Sequence, residues 1–183
     1  MLNPQQGSQL LRIARETLTS HLAGRPKPDF KVTDPALVEK RGAFVTLHQG
    51  KHLRGCIGHI RAQKPLWETV RDMAVEAAVG DPRFEPVMSK ELKDLHIEIS
   101  ALTPMQRIQS HCEIEVGRHG LYLKRGYSAG LLPPQVPGEY GWDLETFLMH
   151  TCQKAGLPDD AWRDGQTEIY VFEAEIFEEK KTG

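Results

Sequence analysis

The chain has 183 residues, of which 39% are hydrophobic and 26% are charged, and its formal net charge at neutral pH is −2. This composition is typical of a globular protein with room for one large domain or two small subdomains. The charge balance excludes a strongly basic protein, so we expect no nucleic-acid partner. We also expect no membrane partner, because the chain has no apolar run of about 18 residues.

Two features favour the cytoplasm as the location. The amino-terminal residues lack a basic segment followed by an apolar one, so a secretory signal is not expected. The three cysteines, Cys56, Cys112 and Cys152, are an odd number and form no CxxC pair. Such a set argues for a reducing compartment rather than a disulfide framework.

Hydrophobic spacing predicts the elements of the first half of the chain. Apolar residues at helical intervals predict an amino-terminal helix, with Ser8 as its N-cap. Gly50-Lys51 is a glycine-first pair suited to a type II′ hairpin turn. The predicted order is a helix over 9–22 in an amino-terminal segment over 8–23, a hairpin around 50–51, a helix over 65–80 and a strand over 95–102. The apolar stripe of the second helix is predicted to consist of Leu66, Val70, Met73, Ala74 and Ala77.

The hairpin turn also predicts which residues face each other. A two-residue turn at Gly50-Lys51 places Val45 opposite Cys56. Since side chains alternate along a strand, Thr46 is predicted on the face opposite to that of Cys56. The face of Cys56 is predicted to hold Arg54, Gly58, Val45 and Leu47.

The second half repeats this order of elements. Its predicted elements are strands over 112–116, 119–126 and 129–134, a helix over 143–158 that Asp143 caps, and a final strand over 168–177. Gly55 precedes Gly130, and Trp67 precedes Trp142, by the same 75 residues. Either the chain contains a duplicated hairpin-helix-strand module, or two unrelated α+β halves resemble each other by chance.

With the duplication, the chain is one domain over 1–183 with halves over 42–104 and 112–178. The predicted fold class is α+β with antiparallel sheet and two subdomains around a cleft. The position in the second half that matches Cys56 is Leu131. The fold itself therefore does not require a thiol at this position.

Several motifs, in order, resemble those of the AMMECR family, the proteins called protein A of the AmmeMemoRadiSam system. The motifs are "LRGCIG" at 53–58, "DPRF" at 81–84, "IEISALTP" at 97–104, "GLLPPQVP" at 130–137 and "FLMHTCQKAGLP" at 147–158. The resemblance covers residues 8 to 179. One departure is the adjacent pair Pro133-Pro134, where the family usually has a single proline.

The resemblance implies a fold, a site and partners. The implied fold is a two-subdomain α+β structure, and the implied site surrounds "LRGCIG" at the junction of the halves. The system name associates the family with a Memo-like protein and a radical S-adenosylmethionine (SAM) enzyme. The resemblance does not assign a reaction to the chain.

Cys56 is the first candidate for a catalytic residue. The thiolate is the reactive form of cysteine, and a neighbouring cation such as Arg54 lowers the pKa of a thiol. Gly55 and Gly58 carry no side chains, so a ligand could approach the strand closely. A nucleophilic cysteine also needs a base, for which Glu98 is a candidate. The other candidates for this base are His48, His52, His96, His111 and His150.

Packing in a core is the alternative for Cys56. Cysteine is among the most buried residue types, and glycines beside it can mark a β-bulge. Arg54 argues against simple burial, because a guanidinium beside a buried thiol needs an anionic partner.

Arg83, Gln135 and Glu139 are further candidates for ligand binding. Arg83 could hold a carboxylate or phosphate in a forked pair, or could simply pair with Asp81. Gln135 and Glu139 lie in a proline- and glycine-rich connection over 126–141, and long connections are often functional. Anchoring of this connection is the alternative for both residues.

Two functions from different classes remain open. One is a binding or accessory module that holds a small ligand, such as a small anion, or delivers a substrate to the Memo-like and radical SAM partners. The other is an enzyme that uses Cys56 as nucleophile or acid–base group on a small anionic substrate. No metal or cofactor is expected, because the sequence has neither zinc-ligand spacing nor a glycine-rich phosphate motif.

Overall fold

The structure is a computed structural model that describes residues 1–180. The chain divides into two compact units, unit 1 with residues 1–102 and those from 175 onward, and unit 2 with residues 103–174. Each unit contains a four-stranded sheet accompanied by helices, which confirms the predicted α+β class. No helix within residues 1–180 is both long enough and apolar enough to cross a bilayer.

The elements follow each other in two groups along the chain. The first group is α1 (Pro4–Leu22), α2 (Pro35–Val38), β1 (Ala43–Gln49), β2 (His52–His59), α3 (Leu66–Val79) and β3 (Leu95–Leu102). The second group is β4 (Gln106–Ile108), β5 (Gly120–Arg125), β6 (Ser128–Leu132), α4 (Gln135–Tyr140), α5 (Leu144–Lys154), β7 (Glu168–Phe172) and β8 (Ala174–Glu178). Short 3-10 helices occupy Ser89–Asp94, His111–Glu113 and Ala161–Arg163.

Helix α1 begins earlier than the sequence predicts. Its N-cap is Asn3, whose side chain accepts the backbone N–H of Gln6 at 2.9 Å, while the Gln6 side chain accepts the backbone N–H of Asn3 at 2.8 Å. Pro4 occupies the first helical turn, where its missing N–H costs nothing. Ser8, the predicted N-cap, lies inside the helix and donates its hydroxyl to the Pro4 carbonyl at 2.9 Å.

The sheet of unit 1 has the order β2-β1-β3-β8, and helices α1 and α3 contribute the other half of its core. The predicted apolar stripe of α3 is confirmed, because all five of its residues are buried. On β1 and β3, alternate residues are buried in this core, namely Val45, Leu47, Ile97 and Ile99. The residues between them, such as Thr46 and Glu98, are only half-buried and point to the other face of the sheet.

The sheet of unit 2 has the order β4-β7-β5-β6, and α5 packs on it. Asp143 caps α5 as predicted, because its carboxylate accepts the backbone N–H of Thr146 at 2.8 Å. The predicted strand over 112–116 is wrong: Ser110 caps a 3-10 helix there and accepts the N–H of Cys112 at 3.2 Å. The connection predicted over 126–141 contains strand β6 and helix α4.

The final strand predicted over 168–177 is two strands that belong to different sheets. Strand β7 lies in the sheet of unit 2, whereas β8 lies beside β3 in unit 1. The chain leaves the sheet of unit 2 at Glu173, whose backbone N–H donates to the Thr103 hydroxyl at 2.8 Å. The guanidinium of Arg41, only 4% exposed, then pairs with the Glu175 carboxylate of β8.

Both units contain the order hairpin, helix, strand. In unit 1 these are β1-β2, α3 and β3, with sheet order β2-β1-β3, and in unit 2 they are β5-β6, α5 and β7, with order β6-β5-β7. Gly55 lies against α3, where a Cβ atom would be 2.0 Å from the Ala77 carbonyl oxygen. Gly130 lies against the end of α5, where a Cβ atom would be 2.3 Å from the Ala155 nitrogen. Duplication of the sequence stays a prediction.

Candidate functional site around Cys56

A β-bulge in β2 sets the orientation of Cys56. Leu47 pairs with Gly55 and His48 with Leu53, so Arg54 is an extra residue without a partner on β1. Cys56 therefore lies opposite Thr46, and the predicted pairing of Cys56 with Val45 is wrong. One extra residue transfers every later side chain of a strand to the other face. The bulge thus takes Cys56 away from the core face, on which Val45 and Leu47 are fully buried.

Cys56 instead belongs to a half-buried row of polar side chains, here called the polar face, made of Thr46, His48, Cys56 and Glu98. The Thr46 hydroxyl lies 3.2 Å from the Cys56 sulfur and donates a hydrogen bond to it. Glu98 lies opposite Thr46 on β3, and its carboxylate is 3.8 Å from the Nε2 atom of His48. Thiol, hydroxyl, carboxylate and imidazole are therefore neighbours on one sheet surface.

Asp81 fixes the backbone of Cys56. Strand β2 is an edge strand, so its outward N–H groups have no partner strand. The Asp81 carboxylate accepts the backbone N–H of Cys56 at 2.9 Å and the backbone N–H of Arg83 at 3.1 Å. Asp81 is only 5% exposed, and these are partly buried, charge-assisted hydrogen bonds. The segment that follows α3 thereby holds the thiol-bearing strand in place.

Arg83 is directed at Asp81. Its Nε atom lies 3.0 Å from one carboxylate oxygen of Asp81, and its Nη2 atom lies 2.7 Å from the other. The hydrogen bonds from Arg83, followed by that from the Cys56 backbone, hold the pKa of Asp81 well below its usual value. Nη2 also lies 3.5 Å from the Cys56 carbonyl oxygen. Arg83 therefore supports the Cys56 strand, and its role in binding a ligand stays a prediction.

Arg54 has an anionic partner, but not one at the thiol. Its guanidinium donates to the Glu91 carboxylate, at 2.9 Å from Nε and 3.3 Å from Nη2, and to the Glu85 carbonyl at 2.8 Å. The pKa of Glu91 is lowered, chiefly by its hydrogen bond with Arg54. Arg54 is the bulge residue itself and has no partner on β1, so its placement on the strand face of Cys56 stays a prediction.

Gly55 and Gly58 allow close packing within unit 1. The space of a Gly55 side chain is taken by the Ala77 carbonyl of α3, at 2.0 Å from an ideal Cβ position. The space of a Gly58 side chain is taken by the Phe44 ring, at 2.4 Å. Protein atoms therefore occupy both spaces, and contact of either glycine with a ligand stays a prediction.

The other predicted site residues divide between the units. Gln135 and Glu139 are exposed residues of α4 in unit 2, so their membership of a site with Cys56 stays a prediction. Of the candidate bases, His111 and His150 also belong to unit 2. His96 lies opposite His48, and its Nε2 atom is 3.4 Å from the Glu178 carboxylate. His48 and Glu98 are therefore the candidate bases nearest to Cys56 along the sheet.

Metal ligands do not gather in the described part of the chain. Within residues 1–180 no three His, Cys, Asp or Glu side chains are arranged to hold a metal ion. Cys152, one of the possible ligands, is fully buried on the apolar side of α5, and burial raises the pKa of its thiol.

The environments of the three cysteines predict an order of alkylation. Cys112 is exposed, Cys56 is half-buried and Cys152 is buried. We expect iodoacetamide to modify Cys112 first, Cys56 measurably in the folded protein, and Cys152 only on unfolding, since the reagent must reach the sulfur. Peptide mass spectrometry over time would give the three rates. Equal protection of Cys56 and Cys152 would contradict the half-buried position of Cys56.

Thr46 and Asp81 are two site residues that the sequence does not indicate in these roles. A register extended from the turn without a bulge predicts Thr46 on the wrong face. Gly55, directly after Arg54, is a signal for the bulge, since glycine inside a strand often marks one. The sequence predicts Asp81 only as a partner for Arg83, because a hydrogen bond to a distant backbone N–H leaves no pattern in the local sequence.

The fold and the site define a class, α+β proteins with two hairpin-helix-strand units and a cysteine on the edge strand of the first. A family model described as AMMECR1 matches residues 11–177. A protein of Thermococcus onnurineus is 46% identical over 190 residues, covering 98% of this chain and 93% of the relative. A protein of Methanopyrus kandleri is 45% identical over 189 residues, covering 98% and 91%.

A solved structure agrees with these sequence matches. The crystal structure of an uncharacterized protein from Pyrococcus horikoshii has a TM-score of 0.83 and 44% sequence identity with this chain. The match covers 98% of this chain and 94% of the other. This chain belongs to the AMMECR1 family.

Proposed function

We propose that this protein is a small-ligand-binding or accessory protein that acts with a Memo-like protein and a radical SAM enzyme, through the polar face around Cys56. The partners are those that the family resemblance implies. The observation that carries the site is the bulge at Arg54, which takes Cys56 from the core face to a row of polar side chains. A cysteine needed only for packing would be expected on the other face.

The hydrogen bonds around Cys56 suit a preorganised binding surface. The Cys56 backbone is held by Asp81, and its sulfur accepts a hydrogen bond from Thr46. Residues that are fixed before binding lose little conformational entropy when a ligand arrives. The polar face offers donors and acceptors within a small area, which favours a small polar ligand or a polar segment of a partner.

Binding is favoured over covalent catalysis because no base within residues 1–180 makes a hydrogen bond with the thiol. Glu98 and Cys56 both lie opposite Thr46, on β3 and β2 respectively. Neighbouring strands are about 4.8 Å apart, so the backbones of these two residues are about 10 Å apart. A general base must lie within hydrogen-bond reach of the proton that it takes. Thr46 occupies the position between them.

Of the two arginines near Cys56, only Arg83 is exposed enough to contact an anionic ligand. Arg54 is occupied by Glu91, with a side chain only 15% exposed. The Arg83 side chain is 56% exposed while it pairs with Asp81, so it is the better placed of the two to meet an anionic ligand. An anionic group on the ligand would therefore be expected to approach from the side of Arg83.

The second candidate function is an enzyme in which Cys56 is the nucleophile or acid–base group. The observation that favours it is the His48–Glu98 pair, 3.8 Å apart on the same sheet face as the thiol. A ligand bound over Thr46 would lie between the thiol and this pair. In this alternative Glu98 or His48 exchanges a proton with the bound substrate rather than with Cys56 directly.

The test uses Cys56 as its own reporter of binding. The full chain would be mixed with the purified Memo-like protein, the radical SAM enzyme, or a low-molecular-mass cell extract, and alkylation of each cysteine followed by mass spectrometry. At ten times the Kd, mass action predicts about tenfold slower alkylation of Cys56. The exposed Cys112 serves as the internal control and should keep its rate.

Variants separate the two functions. Glu98→Gln and Thr46→Val should weaken protection of Cys56, whereas Gln166→Ala, in unit 2, should leave it unchanged. A covalent adduct on Cys56 that forms and then disappears with a ligand from the extract would favour the enzyme. Unchanged alkylation of Cys56 with all three additions would contradict the proposed binding function.

A further inference from the structure

A cavity of about 320 Å³ lies within unit 2, where the short edge strand β4 pairs with β7. We call it the β4–β7 cavity; the lining residues used here are Arg107, His111, Trp162, Arg163, Thr167 and Glu168. They come from both strands, from two 3-10 helices and from the segment before β7. A concave site whose walls come from several elements is typical of a small-molecule site.

The cavity has an excess of positive charge. Arg107 makes no ion pair with any carboxylate of residues 1–180. Arg163 pairs with Glu145 at 3.1 Å, but both side chains are more than half exposed, and such pairs are weak. Glu168 is the acidic side chain among the lining residues. The lining residues therefore include two arginines and one carboxylate residue.

That carboxylate already has a partner of its own. The Tyr170 hydroxyl donates to Glu168 at 2.6 Å, and this hydrogen bond lowers the pKa of Glu168 and raises that of Tyr170. The charge of Arg107 also lowers the pKa of Glu168, although the two side chains form no ion pair. Arg107 lies opposite Tyr170 in the pairing of β4 with β7, and its guanidinium has no carboxylate partner within residues 1–180, so its donors remain for another acceptor.

A buried hydroxyl adds an independent observation. Thr167 is only 8% exposed, and its hydroxyl is buried and has no hydrogen-bond partner within residues 1–180. Leaving a buried hydroxyl unpaired costs free energy, and native structures rarely do so without a reason. An acceptor oxygen on a ligand in the cavity is a partner that would recover this free energy.

Trp162 gives the cavity a fixed apolar wall. The Arg163 guanidinium lies over its ring at 4.5 Å from the centroid, and the His111 ring meets it edge-on at 5.0 Å. These contacts restrain the two basic side chains beside the indole. The cavity therefore combines an apolar surface with several nitrogen donors, as a site for an organic anion requires.

We propose that the β4–β7 cavity binds a small organic oxyanion, a carboxylate or a phosphate ester, with Arg107 and Arg163 holding the anionic oxygens and Thr167 donating its hydroxyl to one of them. A guanidinium matches both kinds of oxyanion, because its donors form a planar fork. The volume is near the lower end of small-molecule sites, which leaves room for a compact organic body beside the anionic group.

The test is a titration of the full ¹⁵N-labelled chain with sodium phosphate and, separately, sodium acetate, at constant ionic strength set by sodium chloride. We expect saturable shifts of the NMR signals of Trp162, Gly165 and Thr167. Arg107→Gln should weaken the affinity about tenfold, the scale of one charge-assisted pair. Arg118→Gln is the matched control, since Arg118 is an exposed arginine of unit 2 that pairs with Glu115 and Glu173.

The spectra distinguish the outcomes and report folding of each variant. Saturation by phosphate alone supports a phosphate ester as the ligand class, and saturation by acetate supports a carboxylate. Thr167→Val should also weaken binding while leaving the rest of the spectrum in place. Shifts that stay linear with both anions, or equal weakening by Arg107→Gln and Arg118→Gln, would overturn the proposal.

Discussion

Gly55→Ala is expected to destabilise the protein by about 3 kcal/mol, because inserting a methyl group into a tight contact forces backbone shifts. The added Cβ would lie 2.0 Å from the Ala77 carbonyl oxygen, far inside van der Waals contact. The obstacle is the backbone of α3, which cannot rotate away as a side chain would. Strand β2 would have to move from the helix, and Cys56, one residue along, would move with it.

Chemical denaturation followed by circular dichroism would measure the loss of unfolding free energy in Gly55→Ala. Gly138→Ala is the matched control, since a Cβ there has no atom within 4 Å and its φ is not positive. Because Gly138 lies in helix α4, this control should raise the free energy of unfolding by up to about 1 kcal/mol rather than lower it. Gly130→Ala should resemble Gly55→Ala, because its Cβ would be 2.3 Å from the Ala155 nitrogen. Equal stability of Gly55→Ala and Gly138→Ala would show that β2 does not need this close approach.

Asp81→Ala is expected to cost about 2–4 kcal/mol and to accelerate alkylation of Cys56, because buried donors lose a charged acceptor. The variant leaves the Cys56 N–H without its 2.9 Å hydrogen bond and leaves Arg83 without its carboxylate. Asp81→Asn keeps the shape of the side chain but not its charge, so this variant should lose less free energy of unfolding than Asp81→Ala. Asp29→Asn, at an exposed aspartate, is the control for removing one negative charge.

The effect of Asp81 depends on pH in a defined direction. The folded-state pKa of Asp81 is lowered by Arg83, whereas the unfolded value is about 3.9. Its stabilisation is therefore fully present above about pH 4 to 5 and is lost as the pH falls toward the folded pKa. The difference in unfolding free energy between wild type and Asp81→Asn should be constant from pH 7 to 5 and shrink below about 4. A difference that grew in acid would contradict this assignment.

Local patterns predicted much of the fold. The apolar stripe of α3, the cap of α5 by Asp143 and the strand over 95–102 depend on neighbours a few residues apart, and all are present. The turn at Gly50 is also present, with φ at +63° and Gln49 opposite His52. The start of α1 was predicted wrongly because two residues can cap it. Ser8 and Asn3 are both acceptable N-caps, and only Asn3 is positioned for reciprocal hydrogen bonds with Gln6.

The candidate site was predicted less well than the fold. The sequence indicated Cys56, Arg54 and Arg83 as members of one site, but Arg54 pairs with Glu91 and Arg83 pairs with Asp81, and neither guanidinium pairs with the thiol. Whether the strand forms a bulge at Arg54 depends on which atoms pack against the glycine that follows the bulge. Here Gly55 meets the Ala77 carbonyl, a residue 22 positions away in the chain.

The sequence by itself determined the α+β class, most helices and strands and the family, because these follow from periodicity, turn residues and ordered motifs. Only the tertiary structure decided which face Cys56 occupies, that Asp81 binds its backbone, and that residues 174–178 join the sheet of unit 1. Each of these depends on hydrogen bonds or packing between residues far apart in the chain. Such contacts select among local conformations of similar free energy, so local sequence cannot specify them.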